Sequence, residues 1–223
     1  MAPRISVIMP HYDGAISDET LLNGLLCLEN QTYRNFEVLL YHDGPLSREL
    51  PDLSVFTCDL KFKATSKRYN DWGHSLRDIG IKEASGEYIL HFNPDNILYA
   101  FALEEINNTI ENKDGRYAVI ERDNGTVFSG NNIIIYPIYL IGMICDGFGF
   151  NRTYNENHRF ILTGNPPVKY YIDCMQLVMK TDLWRKVGGW YDKSEEGDGE
   201  MYQAFVRSNN GARYIDNILG EHH

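Results

Sequence analysis

The stretch from Arg77 to Asn96, RDIGIKEASGEYILHFNPDN, constrains this chain more than any other. Leu76, Ile79, Gly80 and Ala84 fall at helical spacing and give one face for a sheet. Gly86 is expected to end that helix in the left-handed conformation that a residue without Cβ adopts at little cost. Glu87 to Phe92 is a short, β-prone run, and Pro94 forbids its continuation as a central strand. A helix, a buried strand and a polar break at Asn93-Pro94-Asp95-Asn96 thus follow in order. In open α/β sheets the carboxyl ends of strands are where ligands bind.

The same grammar recurs upstream. Arg4 to Met9 is an apolar strand leading to Pro10-His11-Tyr12-Asp13-Gly14. Ser17 or Asp18 caps a helix whose Leu21, Leu22, Leu25, Leu26 and Leu28 form a stripe. Asn35 to Tyr41 reads as a second strand, ending at His42-Asp43-Gly44-Pro45, and Ser54 to Leu60 as a third. This alternation predicts an α/β fold with a mostly parallel central sheet flanked by helices and right-handed crossovers. Parallel strands bring the loops at His11–Asp13, His42-Asp43 and Asn93–Asn96 to one edge.

Those loops resemble the glycosyltransferases of family 2, which have the GT-A fold. SVIMPHYD is similar to the family's opening SVIIPxYN, and EVLLYHDGP to its EVIVVDDGS; Asn93-Pro94-Asp95 occupies its acidic DXD position. The resemblance covers residues 4–100 well and 170–205 moderately. It implies a single GT-A domain over 1–223, with a nucleotide-binding half at 1–100 and an acceptor-binding half at 101–223. It implies that Pro10, Tyr12 and Asp43 line the site of the base, uracil being expected. Arg77 and Asp78 match the family's R-N, which sets Arg77 near the diphosphate. Asp95 is implied as a ligand of Mn²⁺ or Mg²⁺, a hard cation suited to carboxylate oxygen. His222 or His223 is a second candidate ligand, or equally a tag remnant. Two positions depart from the pattern: His42 stands at the first acid of the base loop, and Asn93 at the first acid of DXD. An amide supplies no charge to a metal but still hydrogen-bonds a ribose hydroxyl.

The second half is less regular. Leu98 to Asn112 reads as a helix; Arg116 to Glu121 and Asn132 to Leu140 read as strands, with Asn124-Gly125 a hairpin signal. Gly142 to Lys169 has little periodicity, and either holds the acceptor or is a surface insertion. Tyr171 to Lys180 reads as a strand and Lys180 to Lys186 as a short helix. Gly188-Gly189-Trp190-Tyr191-Asp192 is similar to the family's GGFDE; the acids after it, before a helix at Met201–Arg207, match the catalytic acid region. The resemblance makes Asp198 the general base, with Glu196 and Glu200 as rivals and with Gly197 and Gly199 leaving room for an acceptor.

Composition narrows the classes. Hydrophobic residues make up 43% and charged residues 23% of 223, an ordinary globular balance. A net charge of −10 argues against nucleic-acid partners and anionic membrane surfaces, but not against a nucleotide bridged by a cation. Cys27, Cys58, Cys145 and Cys174 are scattered, which disfavours a zinc site or disulfide framework. A strand begins almost at once, and the most apolar run, Ile133–Cys145, is too short to span a bilayer and contains Pro137. Membrane association is not evident and a cytoplasmic location is expected. The reading is an inverting, metal-dependent transferase. It moves a sugar from a nucleotide-diphosphate donor, UDP-sugar first, to a hydroxyl on a glycan, lipid-linked or protein-linked acceptor. A non-catalytic nucleotide- or sugar-binding relative is the alternative. A nucleotidyltransferase ranks below both, because the loop after the first strand is neither glycine-rich nor followed by a lysine.

Overall fold

The computed structural model describes residues 5–111, 132–142, 144–145, 150–151, 158–195, 197–209 and 211–223. The expected strand at 116–121, the turn at 124–125 and Glu196 lie outside these residues, as does part of the 142–169 segment. The chain runs β1 (Ile5–His11), α1 (Asp18–Glu29), β2 (Phe36–His42), β3 (Asp59–Ala64), α2 (His74–Glu83), β4 (Tyr88–His91), β5 (Ile97–Leu98) and α3 (Ala102–Glu111). It continues through β6 (Ile133–Ile135), β7 (Ile138–Ile141), β8 (Ile144–Cys145), β9 (Phe150–Asn151) and β10 (Arg159–Leu162). It ends with β11 (Leu177–Lys180), α4 (Thr181–Lys186), α5 (Gly197–Ser208), β12 (Arg213–Tyr214) and β13 (Gly220–His222).

The main sheet has seven strands in the order β12-β6-β11-β4-β1-β2-β3. β3, β2, β1 and β4 are parallel, while β11 runs against both of its neighbours, β4 and β6. A smaller sheet orders β10-β7-β13-β5, and β8 pairs with β9. Helices cover both faces of the main sheet, so its central strands are apolar on both sides, as parallel sheets require. Ile5, Val7 and Met9 of β1 pack with Leu21 and Leu25 of α1 and Leu103 and Ile106 of α3. Ile8, two-residue periodicity placing it on the other face, packs with Leu76 of α2, Trp184 of α4 and Tyr202 of α5.

Several boundaries differ from the expectations, each for a local reason. Gly86 is not left-handed, and α2 ends at Glu83 with Ala84 extended behind it. The chain is captured there by side chains: Ser85 N donates to Glu37 Oε1 (2.7 Å) and Gly86 N to Ser6 Oγ (2.9 Å). The third strand starts at Asp59 rather than Ser54, because Leu53–Val55 forms a 3-10 turn capped by Asp52. Thr57 N and Cys58 N are meanwhile spent on the Glu29 carboxylate, at 2.9 and 3.0 Å. The run 132–140 splits at Pro137, which has no N–H for a ladder, and its halves join different sheets. Within 171–180 only the last four residues are strand. Asp173 caps a 3-10 turn at Cys174–Gln176, accepting from Met175 N (2.9 Å), while Gln176 Oε1 accepts from Asp173 N (2.8 Å). α3 starts at Ala102, residues 97–98 having joined β13 as β5, and α5 starts at Gly197, before the expected Met201.

Glu37 is the hub of the end of the sheet where β1 and β2 begin. Its fully buried carboxylate accepts from Ser6 Oγ (2.6 Å), Ser85 Oγ (2.7 Å) and Lys61 Nζ (2.7 Å), besides Ser85 N. Burial alone would raise its pKa, but the bonds from Lys61, Ser6 and Ser85 outweigh it and hold the group at about 2. With the folded value below the unfolded one, its stabilisation is complete above about pH 4.5 and drains away as pH falls toward 2. Glu37→Ala strands several buried donors. It is expected to cost about 3 kcal/mol in urea unfolding at pH 7, and the deficit relative to the parent should shrink as pH falls below 4.

Candidate functional site

The carboxyl ends of β1, β2 and β4 and the loop leading into α2 enclose a cleft of about 410 Å³. Pro10, Tyr12, Asp43, Asn93 and Asp95, all singled out from sequence, line it together, with His11, Arg68, Asn70, Trp72 and Gly73. Asp43 is buried, and its two oxygens accept from Tyr69 N (2.7 Å) and Asn70 N (3.0 Å). It therefore holds the 67–73 loop, where Asn70 and Trp72 both adopt positive φ and the Trp72 ring stands 63% exposed at the cleft. Arg68 lies over the Tyr12 ring, its guanidinium carbon 3.7 Å from the centroid, and donates to Tyr12 Oη (3.0 Å). His42, where the family has an acid, connects two loops, its Nε2 lying 3.2 Å from Asp13 Oδ1. Its Nε2 accepts from Asp13 N (3.1 Å), and its Nδ1 lies 2.8 Å from Gly44 O and donates to it.

Arg77 does not line the cleft surface but is buried beneath it. Nη1 donates to Trp72 O (2.8 Å), Nη2 to Asn93 Oδ1 (2.7 Å), and the guanidinium lies 5.1 Å from the Trp190 ring centroid. Asn93, expected to offer its amide to a ribose, thus spends its carbonyl on Arg77. Trp190 is fixed by Asp78, which accepts from Trp190 N (2.5 Å) and pairs with Lys193. Gly189 is the glycine this turn requires: its φ is +80°, and a Cβ would stand 2.5 Å from Asp78 Oδ1.

A second group of charges gathers beside Arg77. His222 Nδ1 lies 3.2 Å from Asp173 Oδ2. Burial lowers the imidazole pKa, but Asp173, with Asp95 and Asp198, overrides it and lifts it to about 8. Burial and then the charge of Asp173 push Asp198 up to about 7. Asp95 is also raised, chiefly by burial, and its Oδ1 is buried with no hydrogen-bond partner. Asp198 stands in the first turn of α5. The space expected at its flanking glycines is filled: a Cβ on Gly197 would meet Asp192 O at 2.8 Å, and one on Gly199 would meet Lys169 Cα at 2.5 Å. These glycines admit neighbouring backbone, not an acceptor.

Sequence reasoning missed Asp173 and gave His11 no role. Asp173 carried one signal, a carboxylate between the apolar Ile172 and the run from Cys174 to Met179. Among the described residues, no three His, Cys, Asp or Glu side chains form a ready metal cage. Asp95 Oδ1, buried without a hydrogen-bond partner, and His222, whose charge acts on Asp95, supply oxygen and imidazole donors of the kind a divalent cation takes.

The fold and its cleft define the class of nucleotide-sugar transferases with a GT-A sheet. The model of glycosyl transferase family 2 matches residues 6–185, and the chain belongs to that family of enzymes. An uncharacterized glycosyltransferase of Haemophilus influenzae is 26% identical over 196 residues, covering 82% of this chain and 76% of its own length. The Escherichia coli enzyme WfgD, a UDP-Glc:α-D-GlcNAc-diphosphoundecaprenol β-1,3-glucosyltransferase, is 26% identical over 125 residues, 54% of this chain and 48% of its own. Among solved structures, S. aureus TarS 1–349 in complex with UDP-GlcNAc superposes with a TM-score of 0.63 at 14% identity, over 98% of this chain and 58% of TarS. The mannosyltransferase PcManGT of Pyrobaculum calidifontis, in complex with GDP-Man and Mn²⁺, gives 0.61 at 12% identity, over 100% of this chain and 57% of its own. This chain thus spans less than two thirds of the solved structures it matches. No described helix is long and apolar enough to cross a membrane.

Because Asp43 is the buried acceptor for two loop N–H groups, Asp43→Ala is expected to cost about 2 kcal/mol of stability. Hydrogen exchange should show the 67–73 amides losing protection first; unchanged protection there would remove the anchoring role.

Proposed function

We propose that this chain transfers a sugar, with inversion, from a UDP-sugar to a hydroxyl acceptor, with Asp198 as general base and a divalent cation on the diphosphate. The observation that carries the reading is the gathering of Asp95, His222, Arg77 and a half-buried Asp198 of pKa about 7 beside the cleft lined by Tyr12 and Asp43. A general base works best with a pKa near the operating pH, and burial gives Asp198 that value where a solvated aspartate would be far too weak. Residues 1–100 would hold the donor and residues 101–223 the acceptor.

The donor nucleoside lies over Tyr12 against Asp43. Its diphosphate faces Asp95 and His222, with the buried Arg77 guanidinium behind them. Asp95 and, once the cation has displaced its proton, His222 would hold Mn²⁺ or Mg²⁺, which would supply charge for the leaving diphosphate. Asp198 takes the proton of the acceptor hydroxyl as that oxygen attacks the anomeric carbon from the face opposite the nucleotide; UDP departs. The acceptor is a sugar hydroxyl on a glycan, a lipid-linked saccharide or a glycosylated protein. The WfgD likeness supports a glucosyl-type donor and a saccharide acceptor. Retention of carboxylates at 95 and 198 favours catalysis over a purely binding relative.

Asp198→Asn is expected to lower the transfer rate roughly 10²–10⁴-fold while leaving the UDP dissociation constant unchanged. In the parent the rate should climb with pH through about 7 as the base loses its proton, and a bound cation should move that limb lower. Radiolabelled transfer assays and calorimetry decide. Loss of UDP binding in the variant would make Asp198 a structural residue. Asp95→Ala should abolish the Mn²⁺ dependence of UDP binding; if the dependence persists, the cation is held elsewhere.

A further inference from the structure

The cleft contains one buried polar side chain for which neither the fold nor the proposed chemistry provides a use. His11 is the last residue of β1 and the cross-strand partner of His42. It continues the row of Ile5, Val7 and Met9, so its ring lies on the α1 face of the sheet. There it lines the cleft with Ala15, Ile16 and Pro94. The residue is 2% exposed, and neither Nδ1 nor Nε2 has a hydrogen-bond partner. Burying an imidazole in this way costs about 1–3 kcal/mol for each group left unmade, so the fold gains nothing from its polarity.

Neither ring nitrogen bonds a neighbour: Asp13 Oδ1, itself without a hydrogen-bond partner, lies 3.2 Å from His42 Nε2 instead. The His42 ring is 5.2 Å away between centroids, but both of its nitrogens are committed, to Asp13 N and Gly44 O. Ser47 N and Oγ bond Asp13 Oδ2 at 2.7 and 2.9 Å. The other polar groups of the nucleoside end of the cleft are also engaged: Asp43 with Tyr69 and Asn70, Tyr12 with Arg68, Asn93 with Arg77. Burial, and then the nearby His42, hold the His11 pKa down at about 4. The ring is therefore neutral at pH 7, with one N–H to give and one lone pair to receive.

Sheet order fixes what passes above it. β1 lies between β4, which leads to Asn93–Asp95, and β2, which leads to Asp43. A nucleotide with its base at Asp43 and its diphosphate at Asp95 must carry its nucleoside across the end of β1. Resting on the donor site argued above, we propose that His11 is a specificity-determining residue that makes a direct hydrogen bond to the donor nucleoside, at a base carbonyl or a ribose hydroxyl.

The test uses the whole chain and calorimetric titration with UDP, 2′-deoxy-UDP and Mn²⁺-pyrophosphate. His11→Leu keeps the bulk and removes both nitrogens; His11→Gln keeps a donor and an acceptor. The expected result is a roughly 3–10-fold weaker UDP affinity for His11→Leu, with partial recovery in His11→Gln and unchanged pyrophosphate affinity. Ligand-free His11→Leu should melt no lower than the parent, because an unpaired buried polar group has been exchanged for an apolar one. An equal loss for UDP and 2′-deoxy-UDP assigns the bond to the base or the ribose 3′-hydroxyl, and a loss confined to UDP assigns it to the ribose 2′-hydroxyl. UDP affinity within twofold of the parent in a folded His11→Leu overturns the His11 role while sparing the donor site. A parent that binds no UDP overturns both.

Discussion

The Glu37 carboxylate is the constraint on which the rest of this architecture depends. It sits near the start of β2 and joins β1 through Ser6, β3 through Lys61 and the α2–β4 turn through Ser85. Four segments are thereby fixed at one end of the sheet, and their opposite ends, seven residues or fewer away along each strand, carry Pro10, His42 and His91. Parallel strands are rigid along their length, so pinning one end sets the height of the loops at the other. A buried carboxylate of this kind matters less for net stability than for the donors it satisfies in one geometry.

A second linkage ties the segment of Gly189 and Trp190 to the cleft. Asp78 faces the turn of Gly189 and Trp190, two residues along α2 from the cleft residue Leu76. Trp190 then stacks on His74 (4.8 Å between centroids) and on Trp184 (5.6 Å), with His91 edge-on at 5.0 Å. Arg77 lies against the same indole, so the guanidinium that reaches Asn93 is positioned by the Gly188-Gly189-Trp190 segment. The segment resembling the family's second motif therefore acts partly as a splint for the first.

These linkages explain what the sequence could and could not reveal. β1, α1, β2 and β4 were legible because each is an apolar run closed by a polar loop or a good cap, as with Ser17, which accepts from Thr20 N. The clustering of Pro10, Tyr12, Asp43, Asn93 and Asp95 followed from parallel topology alone. The start of β3 was not legible, because it is decided by Glu29, distant in sequence, capturing Thr57 and Cys58. Nor was the helix stop at Ala84, which depends on Glu37 and Ser6 rather than on glycine geometry. Asp173 and His11 escaped for a related reason. Whether a polar side chain is paired, and with what, is a property of packing that no local pattern encodes.

Asn93 shows how one departure from a motif is absorbed by the charges around it. An aspartate there would neutralise Arg77 at the 2.7 Å contact that the amide carbonyl now makes. With asparagine, Arg77 keeps its charge, and His222 beside Asp173 adds a second cation whose pKa is lifted to about 8. The negative side is held by Asp173, which His222 keeps ionised against its burial, while Asp95 and Asp198 are both shifted toward their neutral forms. The site has lost one carboxylate and left one guanidinium uncompensated. In a buried, weakly screened setting, that imbalance favours the arrival of an anion beside the cleft.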